Sequence, residues 1–264
     1  MKKFIFDLAV SENIRLNDHY ILLKLQHNES LPEMMPGQFV EVRIDDTPEV
    51  LLRRPISINY VDRINNVLWL LVQLVGNGTR HLATLTSGDT VNVMLPLGNG
   101  FTIPQDISGK SNSDRNLLLV GGGAGIAPML FLGEQLHKRG FHPMFLLGAR
   151  SNSDLLQLDD FSRFGTLYLS TEDGTKGEKG FVTQHSILSK CSFKMVYACG
   201  PKPMMVAVAR YAKQNDIPCE VSLENKMACG LGACLCCVED TVNGNVCVCK
   251  EGPVFNINQL SWQI

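Results

Sequence analysis

Hydrophobic positions along the chain follow two rhythms, and the change between them falls near residue 105. Before it, short apolar or alternating runs stand at 19–26 (HYILLKLQ), 37–44 (GQFVEVRI), 67–75 (VLWLLVQLV) and 89–95 (DTVNVML). Their length and two-residue period predict β-strands. Turn residues separate them at Pro36-Gly37, Asn65-Asn66, Gly76-Asn77-Gly78 and Ser87-Gly88. Strands at this spacing predict a sandwich or small barrel.

From about residue 114 strands alternate with helices. NLLLV (116–120), MFLLGAR (144–150), TLYLSTEDG (166–174), KMVYACG (194–200) and a last strand, CEVSLEN (219–225), carry the apolar runs of buried strands. Between them PMLFLGEQLHKRG (128–140), DLLQLDDFSRFG (154–165), FVTQHSILSK (181–190) and KPMMVAVARYAKQND (202–216) predict helices. The first has Pro128 in its opening turn and Gly140 as its stop, and the last places Met204, Val208 and Ala212 on one face. Such alternation predicts a parallel sheet covered by helices, with ligands at the carboxyl ends of the strands.

Composition narrows the partners. The 264 residues are 45% hydrophobic and 19% charged with a net charge of −2, which is globular and offers no basic cluster for nucleic acid or an anionic membrane. Asp7 interrupts the short apolar run of MKKFIFDLAV, so it is not a secretory signal. The longest apolar stretch, Val67–Val75, contains Gln73 and is too short to span a bilayer. A soluble, cytoplasmic protein is expected.

Cysteine carries the clearest chemistry. Six of the nine cysteines lie between Cys229 and Cys249, with Cys229, Cys234 and Cys237 in a C-x4-C-x2-C run and Cys249 further on. That is the spacing of plant-type [2Fe–2S] proteins. Ala228, Gly230, Gly232 and Ala233 suit a loop that must curl tightly and turn its N–H groups towards sulfur. Disulfides are not expected in a chain without an export signal. Structural zinc on Cys234, Cys237, Cys247 and Cys249 is the alternative, and it leaves Cys229 and its glycines without a role.

Three further stretches suggest anion binding. Arg53 and Arg54 adjoin in an apolar strand, where burial calls for a neutralising anion. Gly76-Asn77-Gly78-Thr79 feeds a short helix whose amides and Thr79 hydroxyl suit a phosphate. Gly121–Pro128, GGGAGIAP, joins a strand to a helix without matching G-x-G-x-x-G, yet it presents N–H groups to a pyrophosphate. Thr171–Gly174 and Cys199-Gly200-Pro201 follow strands that open on the same crevice.

Together these motifs resemble the ferredoxin–NADP reductase superfamily along almost the whole chain. The R-x-(Y/F)-(S/T) strand is Arg54-Pro55-Ile56-Ser57, the GGGxGxxP loop is Gly121–Pro128, and the C-G-P turn is Cys199-Gly200-Pro201. LLRRPIS (51–57), PLGNGF (96–101), KMACGLGAC (226–234) and EGPVF (251–255) are similar, more narrowly, to the electron-transfer subunits of type B, NAD-linked dihydroorotate dehydrogenase. The resemblance implies a FAD-binding antiparallel β-barrel over 1–105, an NAD-binding α/β domain over 106–222 and a [2Fe–2S] segment over 223–264. It implies that Arg54 binds the FAD pyrophosphate, with Pro55, Ile56 and Ser57 along the flavin and Leu71, Val72, Gln73, Gly78 and Thr79 completing the site. It assigns NAD to Gly121, Gly122, Gly123, Gly125, Cys199, Gly200 and Pro201, and the cluster to Cys229, Cys234, Cys237 and Cys249.

Ile56 stands where many superfamily reductases have an aromatic residue, Leu95 stands where the narrower family usually has glycine, and Arg150 is of the type that meets a 2′-phosphate. The implied activity is electron transfer from the FMN of a dihydroorotate dehydrogenase catalytic subunit to NAD+, in pyrimidine biosynthesis, within a heterotetramer of two plus two. No acid–base catalyst is expected on this chain. The alternatives are a reductase subunit of an NAD(P)H–ferredoxin oxidoreductase or sulfhydrogenase complex, and a zinc-stabilised interaction module without redox function.

Overall fold

The computed structural model describes residues 2–45, 47–105 and 115–264. The expected domain boundary at residue 106 falls outside the described residues. The chain divides into two compact units, and neither is a single stretch of sequence. One comprises Met1–Gly100, Asn225–Glu239 and Asn245–Pro253, and the other Phe101–Glu224, Asp240–Gly244 and Val254–Ile264.

The first unit is built on a closed antiparallel barrel in the order β1-β2-β5-β4-β3-β6. Its strands are β1 (Phe4–Arg15), β2 (Tyr20–Gln26), β3 (Phe39–Val42), β4 (Arg54–Asp62), β5 (Val67–Gln73) and β6 (Thr90–Leu97), with α1 (Asn77–Leu82) between the last two. Two-residue periodicity makes the wall. Leu68, Leu70 and Val72 in β5 and Val91, Val93, Leu95 and Leu97 in β6 recur at alternate positions and are buried. Each buried aliphatic side chain contributes about 1.5–3 kcal/mol. Strand β1, which the hydrophobic pattern did not announce, pairs with both β2 and β6 and closes the barrel.

The second unit holds a seven-stranded sheet in the order β10-β9-β8-β7-β11-β12-β15. In chain order its elements are β7 (Asn116–Gly122), α2 (Ala127–Lys138), β8 (His142–Ala149), α3 (Leu158–Ser162), β9 (Thr166–Thr171), β10 (Glu178–Lys179), α4 (Ile187–Lys190), β11 (Met195–Cys199), α5 (Lys202–Gln214) and β12 (Cys219–Ser222). Short elements β13 (Val238–Thr241), β14 (Gly244–Cys247) and α6 (Val248–Glu251) follow the cysteine loop, and β15 (Val254–Asn256) comes last. All pairings in this sheet are parallel except that of β15 with β12, which is antiparallel. The expected parallel sheet therefore carries one reversed edge strand, and CEVSLEN is not the last strand.

Three expected helices differ in detail. The helix over 154–165 contracts to α3, because Gln157 just before it takes a left-handed φ of 55°. The helix over 181–190 splits into a 3-10 turn at Val182–Gln184 and α4, since His185 between them is extended. His185 Nδ1 accepts the Ile187 N–H at 3.1 Å, and the Glu178 carboxylate accepts the Ser186 N–H at 2.8 Å, so side chains replace helical carbonyls there. In α5 the buried residues are Met205, Val208, Ala209 and Ala212 rather than a face led by Met204. No helix among the described residues is long and apolar enough to cross a membrane.

Candidate functional site

The two adjacent arginines at the start of β4 take different roles. Arg53 is spent on the barrel: Nη1 donates to the carbonyls of Glu41 and Asn92 at 3.2 Å, and Nη2 to Asn92 Oδ1 at 2.5 Å. Arg54 meets no carboxylate at ion-pair distance among the described residues and lies over α1, its Nε 2.7 Å from where a Cβ on Gly78 would stand. The expected pair of anion-binding arginines is thus one structural guanidinium and one directed at the glycine turn. A cation so placed suits a diphosphate, which a planar fork meets with two charge-assisted hydrogen bonds.

Thr79 shapes the same turn. Its hydroxyl accepts the N–H groups of Val75 and Gly76 at 3.0 and 3.2 Å and donates to the Gly76 carbonyl at 3.1 Å. It therefore builds the start of α1 with its own oxygen. Pro55, Ile56 and Ser57 run along β4, half-buried, opposite Glu41, Val40 and Phe39 of β3. On β5, Leu71 and Val72 are buried and Gln73 is exposed.

In the second unit the glycine loop meets the C-G-P turn. Gly121 at the end of β7 pairs in register with Cys199 at the end of β11. A Cβ on Gly125 would stand 2.3 Å from the Cys199 carbonyl oxygen, so only glycine permits this approach. Gly125→Ala is expected to cost about 1–3 kcal/mol by overpacking, read as a lowered melting temperature together with weaker NADH binding. Met204 leaves the α5 face because its Sδ fills the space beside Gly122, 2.6 Å from a Cβ position there. Cys199 is buried, which pushes its thiol well up, and its Sγ lies 3.9 Å from Glu224 Oε1. Glu224 was absent from the expected site; its place at the end of CEVSLEN gave no signal of this contact.

The cysteine loop belongs to the first unit. Gly230 and Gly232 take left-handed φ values of 65° and 81°, and Leu235 does so at 58°. These bends turn N–H groups onto sulfur: Leu231 N–H to Cys229 Sγ at 3.4 Å, Gly232 N–H to Cys249 Sγ at 3.1 Å and Cys249 N–H to Cys237 Sγ at 3.4 Å. Burial pushes the Cys229 thiol up, but N–H groups of Leu231, Cys234 and Ala233 and the Cys234 side chain outweigh it and bring it down to about 6. Burial and then the neighbouring Cys237 push Cys249 up to about 12. Neighbouring thiols resist ionising together, and a cationic metal group relieves that repulsion.

Cys237 and Cys249 are buried, Cys229 is half-buried and Cys234 is exposed. Among the described residues no three His, Cys, Asp or Glu side chains gather about one point as a single ion requires. Of the two remaining cysteines of the segment, Cys236 turns to the Lys226 carbonyl at 3.6 Å, while Cys247, 3.8 Å from the Gly232 carbonyl, stays beside the loop, where burial and then Cys237, Glu251, Cys229 and Cys234 push its thiol up. Thiolates are the donors an iron–sulfur group takes, and Cys229, Cys237 and Cys249 are the sulfurs that backbone N–H groups of the loop meet.

The pattern of residues did not point to Glu41. It lies on β3 and is 0% exposed, with neither carboxylate oxygen hydrogen-bonded among the described residues. Burial pushes its carboxyl up to about 7, opposed by Arg53 and Arg54 and reinforced by Cys229.

Known proteins are similar to this chain. A family described as the iron–sulfur cluster binding domain of dihydroorotate dehydrogenase B matches residues 224–261, and an oxidoreductase NAD-binding domain matches residues 119–210. The chain is 37% identical over 257 residues to the dihydroorotate dehydrogenase B (NAD(+)) electron transfer subunit of Fusobacterium nucleatum, covering 94% of this chain and 95% of the relative. It is 40% identical over 233 residues to the protein of the same description from Lysinibacillus sphaericus, covering 87% and 88%. Among solved structures it is similar to a chain of an NADH-dependent reduced ferredoxin–NADP oxidoreductase studied for flavin-based electron bifurcation, with a TM-score of 0.84, 27% identity and coverage of 97% and 90%. The ferredoxin reductase in carbazole 1,9a-dioxygenase shares the fold, with a TM-score of 0.67, 18% identity and coverage of 83% and 68%.

Proposed function

This chain belongs to the electron transfer subunits of NAD-linked dihydroorotate dehydrogenase B, and from that premise we propose that it delivers electrons from dihydroorotate oxidation on a catalytic partner subunit to NAD+. The observation that carries this reading is the cysteine loop, where positive-φ turns direct backbone N–H donors onto the sulfurs of Cys229, Cys237 and Cys249. FAD, a [2Fe–2S] cluster and NAD are its cofactors, and the iron–sulfur family match removes the zinc-module alternative. When bound, the flavin supplies exchange between one-electron and hydride chemistry, which neither a cluster nor a nicotinamide can do alone.

The chain's own residues hold and orient these groups. Arg54 meets the FAD diphosphate beside Gly78 and Thr79, while Pro55, Ile56 and Ser57 line the flavin, with Leu71, Val72 and Gln73 on the next strand. Gly121, Gly122, Gly123 and Gly125 give the nicotinamide dinucleotide an approach to backbone N–H groups, and Cys199, Gly200 and Pro201 border its reactive end. Cys229, Cys234, Cys237 and Cys249 ligate the cluster. Arg53 keeps Asn92 and the Glu41 carbonyl in place so that the strand carrying Arg54 is fixed. The reading extends to FMN on the catalytic partner, a heterotetramer of two plus two, and a cytoplasmic location.

Mixing the cluster-loaded chain with an FMN-containing dihydroorotate dehydrogenase catalytic subunit should give dihydroorotate-dependent NAD+ reduction that neither protein performs alone. An uncoupled mixture, with electrons instead accepted from reduced ferredoxin, would favour the ferredoxin oxidoreductase reading suggested by the 0.84 TM-score likeness.

A further inference from the structure

Among the described residues Glu41 is the one buried carboxylate that the assigned chemistry does not use and whose oxygens find no hydrogen-bond partner. It sits in β3 with its backbone opposite Pro55 of β4, the strand that carries the proposed flavin residues. Its side chain runs towards the cysteine loop: a Cβ on Gly230 would stand 2.8 Å from Glu41 Cγ and 3.1 Å from Oε1, with Leu97 Cδ1 also at 3.1 Å. Gly230 adjoins Cys229 in sequence, is buried and takes φ 65°, so the loop backbone lies directly against the carboxyl.

Stability does not explain the residue. A buried carboxyl without a hydrogen-bond partner costs free energy, and an apolar side chain of the same length would serve the wall of a barrel better. Arg53, just before β4, spends its donors on carbonyls and Asn92, and reaches the Glu41 backbone rather than its carboxyl. A carboxyl kept at such a cost beside a proposed redox centre acts, when ionised, through its field, which a low-dielectric interior strengthens.

We propose that Glu41 is a positioning residue for the cluster's electronics: its carboxylate, held against Gly230, lowers the reduction potential of the iron–sulfur group on the adjoining cysteine loop. The inference rests on the cluster assignment above. Removing a negative charge from behind the loop makes reduction easier, because the electron no longer enters against that charge.

The test is a redox titration of the holoprotein followed by the cluster's electron paramagnetic resonance signal at alkaline pH. Glu41→Gln is expected to raise the midpoint by the equivalent of about tenfold in the reduction equilibrium, or 59 mV for a one-electron couple. Glu41→Asp should return the midpoint towards the starting value, and Glu41→Met should match Glu41→Gln. Melting temperatures of the Gln and Met variants should be unchanged or higher, whereas a purely structural role would lower them. An unaltered midpoint in a Gln or Met variant with full iron content overturns the inference, as does loss of iron from both variants. Absence of an iron–sulfur signal in the unmutated holoprotein would instead refute the cluster assignment.

Discussion

Replacing Cys237 by serine is expected to bleach the iron–sulfur absorption and cut dihydroorotate-dependent NAD+ reduction more than ~100-fold, while NADH oxidation by an artificial dye continues. Cys237 is 2% exposed, and its sulfur accepts the Cys249 N–H at 3.4 Å, so it lies at the inner end of the ligand set. A serine hydroxyl is a hard oxygen that ionises poorly and replaces a soft thiolate badly. The dye assay relies on the other end of the chain's chemistry, where Arg54 and the glycine loop stand apart in sequence from the lesion. Cys236→Ser is the control. Its sulfur turns to the Lys226 carbonyl at 3.6 Å and it is exposed; the variant should keep its colour and its coupling. A bleached Cys236→Ser with an intact Cys237→Ser would shift the ligand assignment by one residue.

Arg54→Ala is expected to release FAD. Charge-assisted hydrogen bonds to a diphosphate contribute about 1.5–3 kcal/mol each, and loss of a two-pronged contact weakens binding on the order of 100-fold or more. The variant should elute without yellow colour on gel filtration and regain it only with excess FAD. Arg54→Lys should sit between, because an ammonium keeps the charge but not the fork. Arg53→Ala should fail differently. Its guanidinium ties Glu41 and Asn92 together, and Asn92 in turn donates to Asp7 Oδ1 at 2.6 Å. The expected outcome there is a lowered melting temperature with FAD affinity reduced less than in Arg54→Ala. Equal losses of flavin in the two would show that the arginines share the diphosphate.

Much of this arrangement was legible because periodicity and glycine chemistry are local. The runs of β5 and β6 alternate cleanly, and the Gly121–Pro128 loop has to turn between a strand and a helix whatever surrounds it. What escaped depended on partners distant in sequence. β1 mixes Phe4, Phe6, Leu8 and Val10 with charged and polar residues, and its role follows only from pairing with β2 and β6 on either side. β15 is three residues long and becomes a strand by hydrogen-bonding to β12. The helix over 181–190 had a helical pattern, but Glu178 and His185 offered its backbone other partners. Glu41 in GQFVEVRI reads as the solvent-facing residue of an alternating strand, yet it is buried, with Gly230 of the returning cysteine loop against its side chain. The Arg53-Arg54 pair was visible as chemistry, yet the division of labour required the positions of Asn92 and Gly78.

The antiparallel edge strand β15 gives the cysteine loop a property that a terminal appendage would lack. The stretch from Leu223 to Pro253 leaves β12 at one end and comes back to the same strand at the other, where Glu220, Val221 and Ser222 pair with Asn256, Phe255 and Val254. The sheet therefore moors both ends of the loop through backbone hydrogen bonds that involve none of its cysteines, and closing the loop does not rest on the cluster alone.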